Sequence, residues 1–321
     1  MNSVIKYGSV QGNPLYNCSV PLEDVYLPGT KRPLLGYSLI IFGIFVEIIY
    51  APSLIAIVKR KLLKHSCYKI MFCLGFIDMF ATSMCTILTG FLFVEGAVFC
   101  SYPNLIYYGG CFALASWFMS CSFIILLVFN RVTDMVCQEV SEFLFANNRV
   151  WLMSMLPAVY ALYSIFFTPT ICFNSTIMAW IGDSGIIAGH SSEYYNYVQI
   201  FNNIAFILNT IVLYSVYMFF IRKKTMGVKI SGGKQVFIQS ALICSINCST
   251  TLIYTVMMFV TPHPIIVLIG QLAWSLAHAC PAFFYLTVNR TIKNEILRWF
   301  KKNSNKTSNV STKQADTSAV C

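Results

Sequence analysis

Along its length the chain alternates long apolar stretches with short polar ones. Seven of the apolar stretches are long enough to cross a membrane: 34–58, 70–94, 104–129, 150–171, 197–221, 235–260 and 264–288. About 20 apolar residues suffice, because a helix rises about 1.5 Å per residue and the hydrocarbon layer is roughly 30 Å thick. The stretches are too long for the alternating strands of a membrane barrel, which run to about ten residues each. The last two nearly merge, and Thr261-Pro262-His263-Pro264 breaks them, since proline lacks the N–H and clashes with the preceding turn. The expected fold is therefore an all-α membrane protein, a seven-transmembrane helix bundle over 34–288. An N-terminal segment, 1–33, precedes the bundle, and a tail, 289–321, follows it.

Composition agrees with lipid as the solvent. Apolar residues make up 57% of the 321 and charged residues only 11%, too few to cover a water-exposed surface of this size. The net charge of +10 lies in short clusters between the apolar runs, which argues against a nucleic-acid-binding face and for loops beside an anionic leaflet. Segments 59–69, 130–149, 222–234 and 289–321 carry 5, 2, 5 and 7 Lys and Arg, and the alternate loops, near 95–103, 172–196 and 261–263, carry none. Positive loops stay in the cytoplasm, so the N-terminus is expected outside and the C-terminus inside. Residues 1–33 are polar and broken by Gly12, Pro14, Pro21, Pro28 and Pro33, with no apolar h-region, so the first span is expected to target the chain by itself.

Two acids fall inside spans, Glu47 in the first and Asp78 in the second. Counted from Lys59 and Lys69 they sit at similar depth, about 18 and 14 Å in, which points either to a shared proton or bound cation or to a hydrogen-bonded packing contact. Asn202, Asn203, Asn209, Asn247 and His278 are further polar groups within spans, read most simply as interhelical hydrogen bonds. The four histidines are scattered, so no metal ligand set, catalytic site or cofactor is expected. On the outer side lie Cys18, Cys100 and Cys172. A bridge from Cys100 to Cys172 suits an oxidising compartment, an odd count leaves one thiol over, and the spacing does not decide the pairing. Of six N-x-[ST] sequons, only Asn17 and Asn174 fall outside the cell, where a glycan could be added.

At the cytoplasmic end of the third span, Asn130-Arg131-Val132 places one basic residue where apolar helix meets water. It reads either as a snorkelling arginine or as a latch that pairs in one state and is released in another. After the seventh span, residues 290–302 set Ile292, Ile296, Trp299 and Phe300 on one side, the pattern of a short amphipathic helix along the inner leaflet. Residues 303–321, rich in Ser, Thr, Asn and Lys, read as a disordered tail.

Seven spans, an outside N-terminus, Asp78, Asn130-Arg131 and Pro281-x-x-x-Tyr285 together resemble a G-protein-coupled receptor. More narrowly, the chain from about Tyr16 to Lys293 resembles the nematode serpentine chemoreceptors of class T (Srt). The resemblance rests on Tyr16-Asn17-Cys18, Glu47-Ile48-Ile49-Tyr50-Ala51-Pro52, Gly110 through Trp117 to Arg131, Pro157-Ala158-Val159-Tyr160, Phe167-Thr168-Pro169, Phe173-Asn174-Ser175 and Pro281 to Arg290. It implies a multi-pass receptor in the plasma membrane of chemosensory neurons, in their cilia, that detects a small molecule and signals to a heterotrimeric G protein. It also implies switch roles for Asn130, Arg131, Pro281 and Tyr285. The chain departs from the wider superfamily in three places. Asn130 and Val132 stand where an acid and an aromatic flank the arginine, the sixth span holds neither Trp nor Pro, and Cys280 precedes Pro281. With Asn130 in place of an acid, the usual intrahelical charge lock on Arg131 is not expected.

Receptors of this shape bind ligand in the outer half of the bundle, in an apolar concavity with a few polar anchors. Trp117 lies about 21 Å along the helix from Arg131, which sets it at a pocket floor, with Phe112 and Tyr108 above. Asn202, Asn203, Tyr254, Met258, Gln271 and Trp274 are the expected walls. Glu95, Asp183 and Glu193 with no Lys or Arg in the outer loops favour neutral or cationic ligands. A transporter or a ligand-gated channel is the rival reading, although the chain shows no internal repeat, charge ring or filter loop.

Overall fold

A computed structural model describes residues 2–19, 28–187, 189, 191–224, 233–260 and 262–299. Among the described residues, seven helices are long and apolar enough to cross a membrane. They are α1 (Pro33–Lys59), α2 (Ser66–Glu95), α3 (Pro103–Val136), α4 (Arg149–Phe167), α5 (Tyr197–Lys224), α6 (Gly233–Met257) and α7 (Pro264–Thr287). After the seventh, a further helix, α8, spans 290–299. Phe300 and the expected disordered tail lie outside the described residues, as does the loop between α5 and α6.

Local chemistry sets the helix ends. Proline opens α1, α3 and α7, where its missing N–H has no intrahelical partner to lose. His263 closes the gap left by the break before α7, its Nδ1 accepting from the Ile265 amide at 3.3 Å. Gly96 ends α2 in the left-handed conformation (φ 65°) that a glycine adopts without strain. Helix α3 runs past its apolar stretch to Val136, so Arg131 and Asp134 share one helix surface. Helix α4 stops at Phe167, ahead of Pro169, and releases the chain into the loop that follows.

Helix α3 is the axis of the bundle, with 67% of its most apolar stretch buried, against 22% for α5. Peripheral helices turn apolar faces outward, such as Leu152, Met155, Leu156 and Val159 of α4, as lipid contact requires. Helices α1 and α2 meet through glycine. A Cβ at Gly36 would stand 2.5 Å from the Gly90 carbonyl oxygen, and one at Gly90 would stand 2.5 Å from that of Gly36. Without a hydrophobic force between helices in lipid, such close backbone approach is how they gain dispersion contact.

One end of the bundle, called here the hairpin end, is roofed by a short antiparallel pair, β1 (Cys172–Asn174) and β2 (Ala179–Ile181), with Phe173 opposite Trp180. The Asn174 carboxamide oxygen accepts from the amides of Thr176 and Ile177 and so makes the turn. The hairpin can sit on α3 only because residue 110 is glycine, where a Cβ would meet the Ile171 carbonyl oxygen at 1.8 Å. The N-terminal segment folds across the same end. Tyr16 is buried among Phe99, Tyr107 and Tyr194, and the Tyr194 hydroxyl donates to the Leu15 carbonyl at 2.6 Å.

That fold-back corrects two expectations. The disulfide joins Cys18 to Cys100, whose Cα atoms are 5.6 Å apart, and Cys172 is a free thiol. The buried Tyr16 carries Cys18 to the turn before α3, whereas Cys172 on β1 is buried inward, with Cys111 among its neighbours, and burial pushes its thiol up. Asn174 is also unsuited to a glycan, because its side chain is buried and holds the hairpin turn. Asn17 lies in the half-buried segment beside the disulfide, where its side chain accepts from the Ser19 amide and hydroxyl.

Candidate functional site

Helix α2 is not α-helical throughout: Ser83–Leu88 forms a π-helical turn. The wider turn loosens the local ladder. Within it the Cys85 carbonyl accepts from Gln271 Nε2 at 3.2 Å and Ser275 Oγ at 3.1 Å, both on α7. The turn thereby fixes α7 against α2 just where the bundle's polar centre lies.

That centre is Asp78. Its Oδ2 accepts from the Tyr50 hydroxyl at 3.1 Å, its Oδ1 accepts from Ser120 Oγ at 3.0 Å, and His278 Nδ1 lies 2.8 Å from the same oxygen. The four residues come from α1, α2, α3 and α7 and all are buried. A buried carboxyl needs such company, since leaving its oxygens unbonded away from water is costly. The expected shared site with Glu47 is not formed. Val46 and Tyr50 make the inward face of α1, and Glu47 lies half-buried beside them, accepting from Ser83 Oγ at 3.2 Å. The two acids match in depth but differ in facing.

Toward the hairpin end, the His278 ring stands edge-on to Trp117 at 5.8 Å and to Trp274 at 6.4 Å. These indoles, with Asn203, Tyr254, Ile171 and Trp180, enclose an inner chamber of only about 20 Å³. Above it a cleft of about 660 Å³ opens between the hairpin, α6 and the start of α7, lined by Ile177, Ile181, Met257, Met258 and Val267 among others. The two spaces share Ile171, Trp180, Gln199 and Tyr254 as walls.

Five of the nine expected ligand residues reach these spaces: Trp117, Asn203, Tyr254 and Trp274 in the chamber, and Met258 with Tyr254 in the cleft. Four do not. Phe112 is on the outer face of α3, 38% exposed, with its ring against Phe80. Tyr108 stacks edge-on with Tyr107, Asn202 is buried close to Cys121, and Gln271 bonds to the π-helical turn. Sequence reasoning missed Trp180, Ile171 and Gln199. A tryptophan in the loop between two spans was the available signal, and Trp180 is pinned inward by donating its indole N–H to Thr89 Oγ1 at 2.8 Å.

At the opposite, basic end, Arg131 donates to Asn130 Oδ1 at 2.6 Å and bridges to Asp134 at 2.7 Å. The charge lock judged missing because residue 130 is Asn is thus supplied one turn later by Asp134, which Ser141 also contacts. Tyr285 is buried edge-on to Tyr50 at 5.8 Å and donates to the Met71 carbonyl at 3.1 Å, while Pro281 is buried within α7. Helix α8 buries Ile292 and Ile296, and Glu295 pairs with Arg60 of the α1 end at 2.6 Å. The Trp299 indole donates to Glu295 and lies under Lys59.

Comparison with known proteins bears on this arrangement. The family model described as "Serpentine type 7TM GPCR chemoreceptor Srt" matches residues 3–309. Serpentine receptor class T-55 of Caenorhabditis elegans is 26% identical over 294 residues, which cover 88% of this chain and 79% of that relative.

Proposed function

The chain belongs to the Srt family of serpentine chemoreceptors, and from that premise we propose that it binds a small molecule in the chamber and cleft of the hairpin end and signals to a heterotrimeric G protein at the basic end. The observation that carries this reading is a line of contacts that leads from the chamber toward the basic end. It runs from Trp117 and Trp274 at the chamber through His278 to Asp78, Tyr50 and Tyr285. A ligand that shifts either indole acts on a polar centre that ties four helices together, and differential contact of that kind is what moves a conformational equilibrium.

In this reading the hairpin end faces the cell exterior and the basic end the cytoplasm, as the Lys and Arg distribution and the disulfide at the hairpin end favour. The receptor resides in the plasma membrane of sensory cilia, and Asn17 is open to glycosylation. Arg131, held by Asn130 and Asp134 at rest, is released to meet the G protein, and Tyr285 and Pro281 move with α7.

The test is reconstitution of the chain with heterotrimeric G protein in lipid nanodiscs and a screen of volatile and water-soluble metabolites for accelerated nucleotide exchange. Ligand-dependent exchange is expected. A ligand-gated current through the chain with no effect on nucleotide exchange would instead make it a channel.

A further inference from the structure

Three residues that line the inner chamber each carry a buried hydrogen-bonding atom with no partner among the described residues: Asn203 Nδ2, Trp274 Nε1 and the Tyr254 hydroxyl. Asn203 and Trp274 are both more than nine-tenths buried. The direction of the Asn203 amide is fixed by its neighbour. Trp117 Nε1 donates to Asn203 Oδ1 at 3.1 Å, and since an indole N–H can only donate, the amide oxygen faces Trp117 and the NH2 is left over. Trp274 Nε1 is likewise a donor only. The residues around the chamber therefore hold two obligate donors and one hydroxyl without partners, and the wall has no Lys, Arg, Asp or Glu among the described residues.

Size sharpens the reading. About 20 Å³ admits one water-sized group, whereas the adjoining cleft of about 660 Å³ is lined largely by apolar side chains. We propose that the chamber receives a single uncharged acceptor oxygen, the carbonyl of a ketone, aldehyde or ester, at the tip of a small apolar ligand whose body fills the cleft. This rests on the receptor reading above and names its ligand class. A carboxylate would enter without a countercharge, which burial penalises. An ammonium would be drawn by the aromatic faces of Trp117, Trp180 and Trp274, but it would meet the positive ends of two N–H groups that it cannot accept from.

The test is direct binding to the purified full chain in nanodiscs, read as thermal stabilisation by hexanone, hexane, hexylammonium and hexanoate at matched concentrations. Hexanone is expected to stabilise most. Trp274→Phe keeps the ring and removes the donor, and is expected to weaken hexanone about tenfold while hexane serves as the reference. Asn203→Asp keeps an acceptor for Trp117 and replaces the donor, so preference is expected to turn from hexanone toward hexylammonium. Tighter binding of hexylammonium or hexanoate by the unsubstituted chain, equal binding of hexane and hexanone, no binding by any of the four, or indifference to both substitutions would each overturn the assignment. No G protein takes part, so this outcome is separate from the nucleotide-exchange result on which the receptor reading stands.

Discussion

His278 Nδ1 and Asp78 Oδ1 lie 2.8 Å apart, 200 residues apart in sequence and closed off from solvent, between the aromatic chamber and the tyrosines of the bundle's other half. Deleting one member of such a buried pair strands the other. His278→Ala and Asp78→Ala are each expected to cost about 3 kcal/mol, and the double variant clearly less than their sum. Thermal unfolding in detergent, followed by a dye that reacts with newly exposed cysteines, measures all three. Strict additivity would show that the two groups do not interact.

The disulfide makes a prediction about reactivity. Without reductant, proteolytic fragments are expected to contain Cys18 linked to Cys100, and maleimide should label Cys172 only after denaturation. Cys100→Ser is expected to lose about 2 kcal/mol or more and to lower surface abundance, because the N-terminal segment is then held by noncovalent contacts alone. A Cys100–Cys172 peptide would refute the pairing.

Arg131 is restrained by a neutral partner and by an ion pair one turn away on a half-exposed surface. A pair in that setting contributes about 0.5 kcal/mol, so Asp134→Asn is expected to raise ligand-free nucleotide exchange roughly twofold. Arg131→Ala should abolish coupling while the chain still reaches the surface. Normal signalling by Arg131→Ala would remove the arginine from the coupling site.

Alkaline pH should loosen the hairpin end. Burial pushes the Tyr194 phenol from 10.0 up to about 12, with the Ser184 hydrogen bond opposing and Asp183 adding to it. Burial also raises Tyr16. A phenol whose folded value is raised gives its full stabilisation below pH 10.0, and loses it as pH climbs toward about 12, because the unfolded chain ionises first. The melting temperature is therefore expected to fall across that window, and Tyr194→Phe should flatten part of the fall. An unchanged melting temperature through the window would argue that these tyrosines are not packed as described.

The seven helices were legible in the sequence because spanning is decided segment by segment. In lipid each backbone must satisfy its own hydrogen bonds, so a run such as 34–58 becomes a helix whatever its neighbours do. The amphipathic α8 was legible for a related reason, since the spacing of Ile292 and Ile296 already marks the side that will be buried. Facing between helices is of another kind. Each residue turns a helix by about 100°, so equal depth placed Glu47 and Asp78 on one level but could not say that Tyr50 and His278, rather than Glu47, turn toward Asp78. Phe112 was assigned to the pocket on depth alone and lies on the outer face instead. Loop chemistry is longer-ranged still: Cys18 finds Cys100 only because Tyr16 packs among rings from distant segments, and Trp180 enters the chamber only because Gly110 lets the hairpin settle on α3. The chain's own order of apolar and charged residues therefore determined how many helices cross. Their rotation and the folding-back of the ends, set by contacts between residues remote in sequence, decided which side chains make the site.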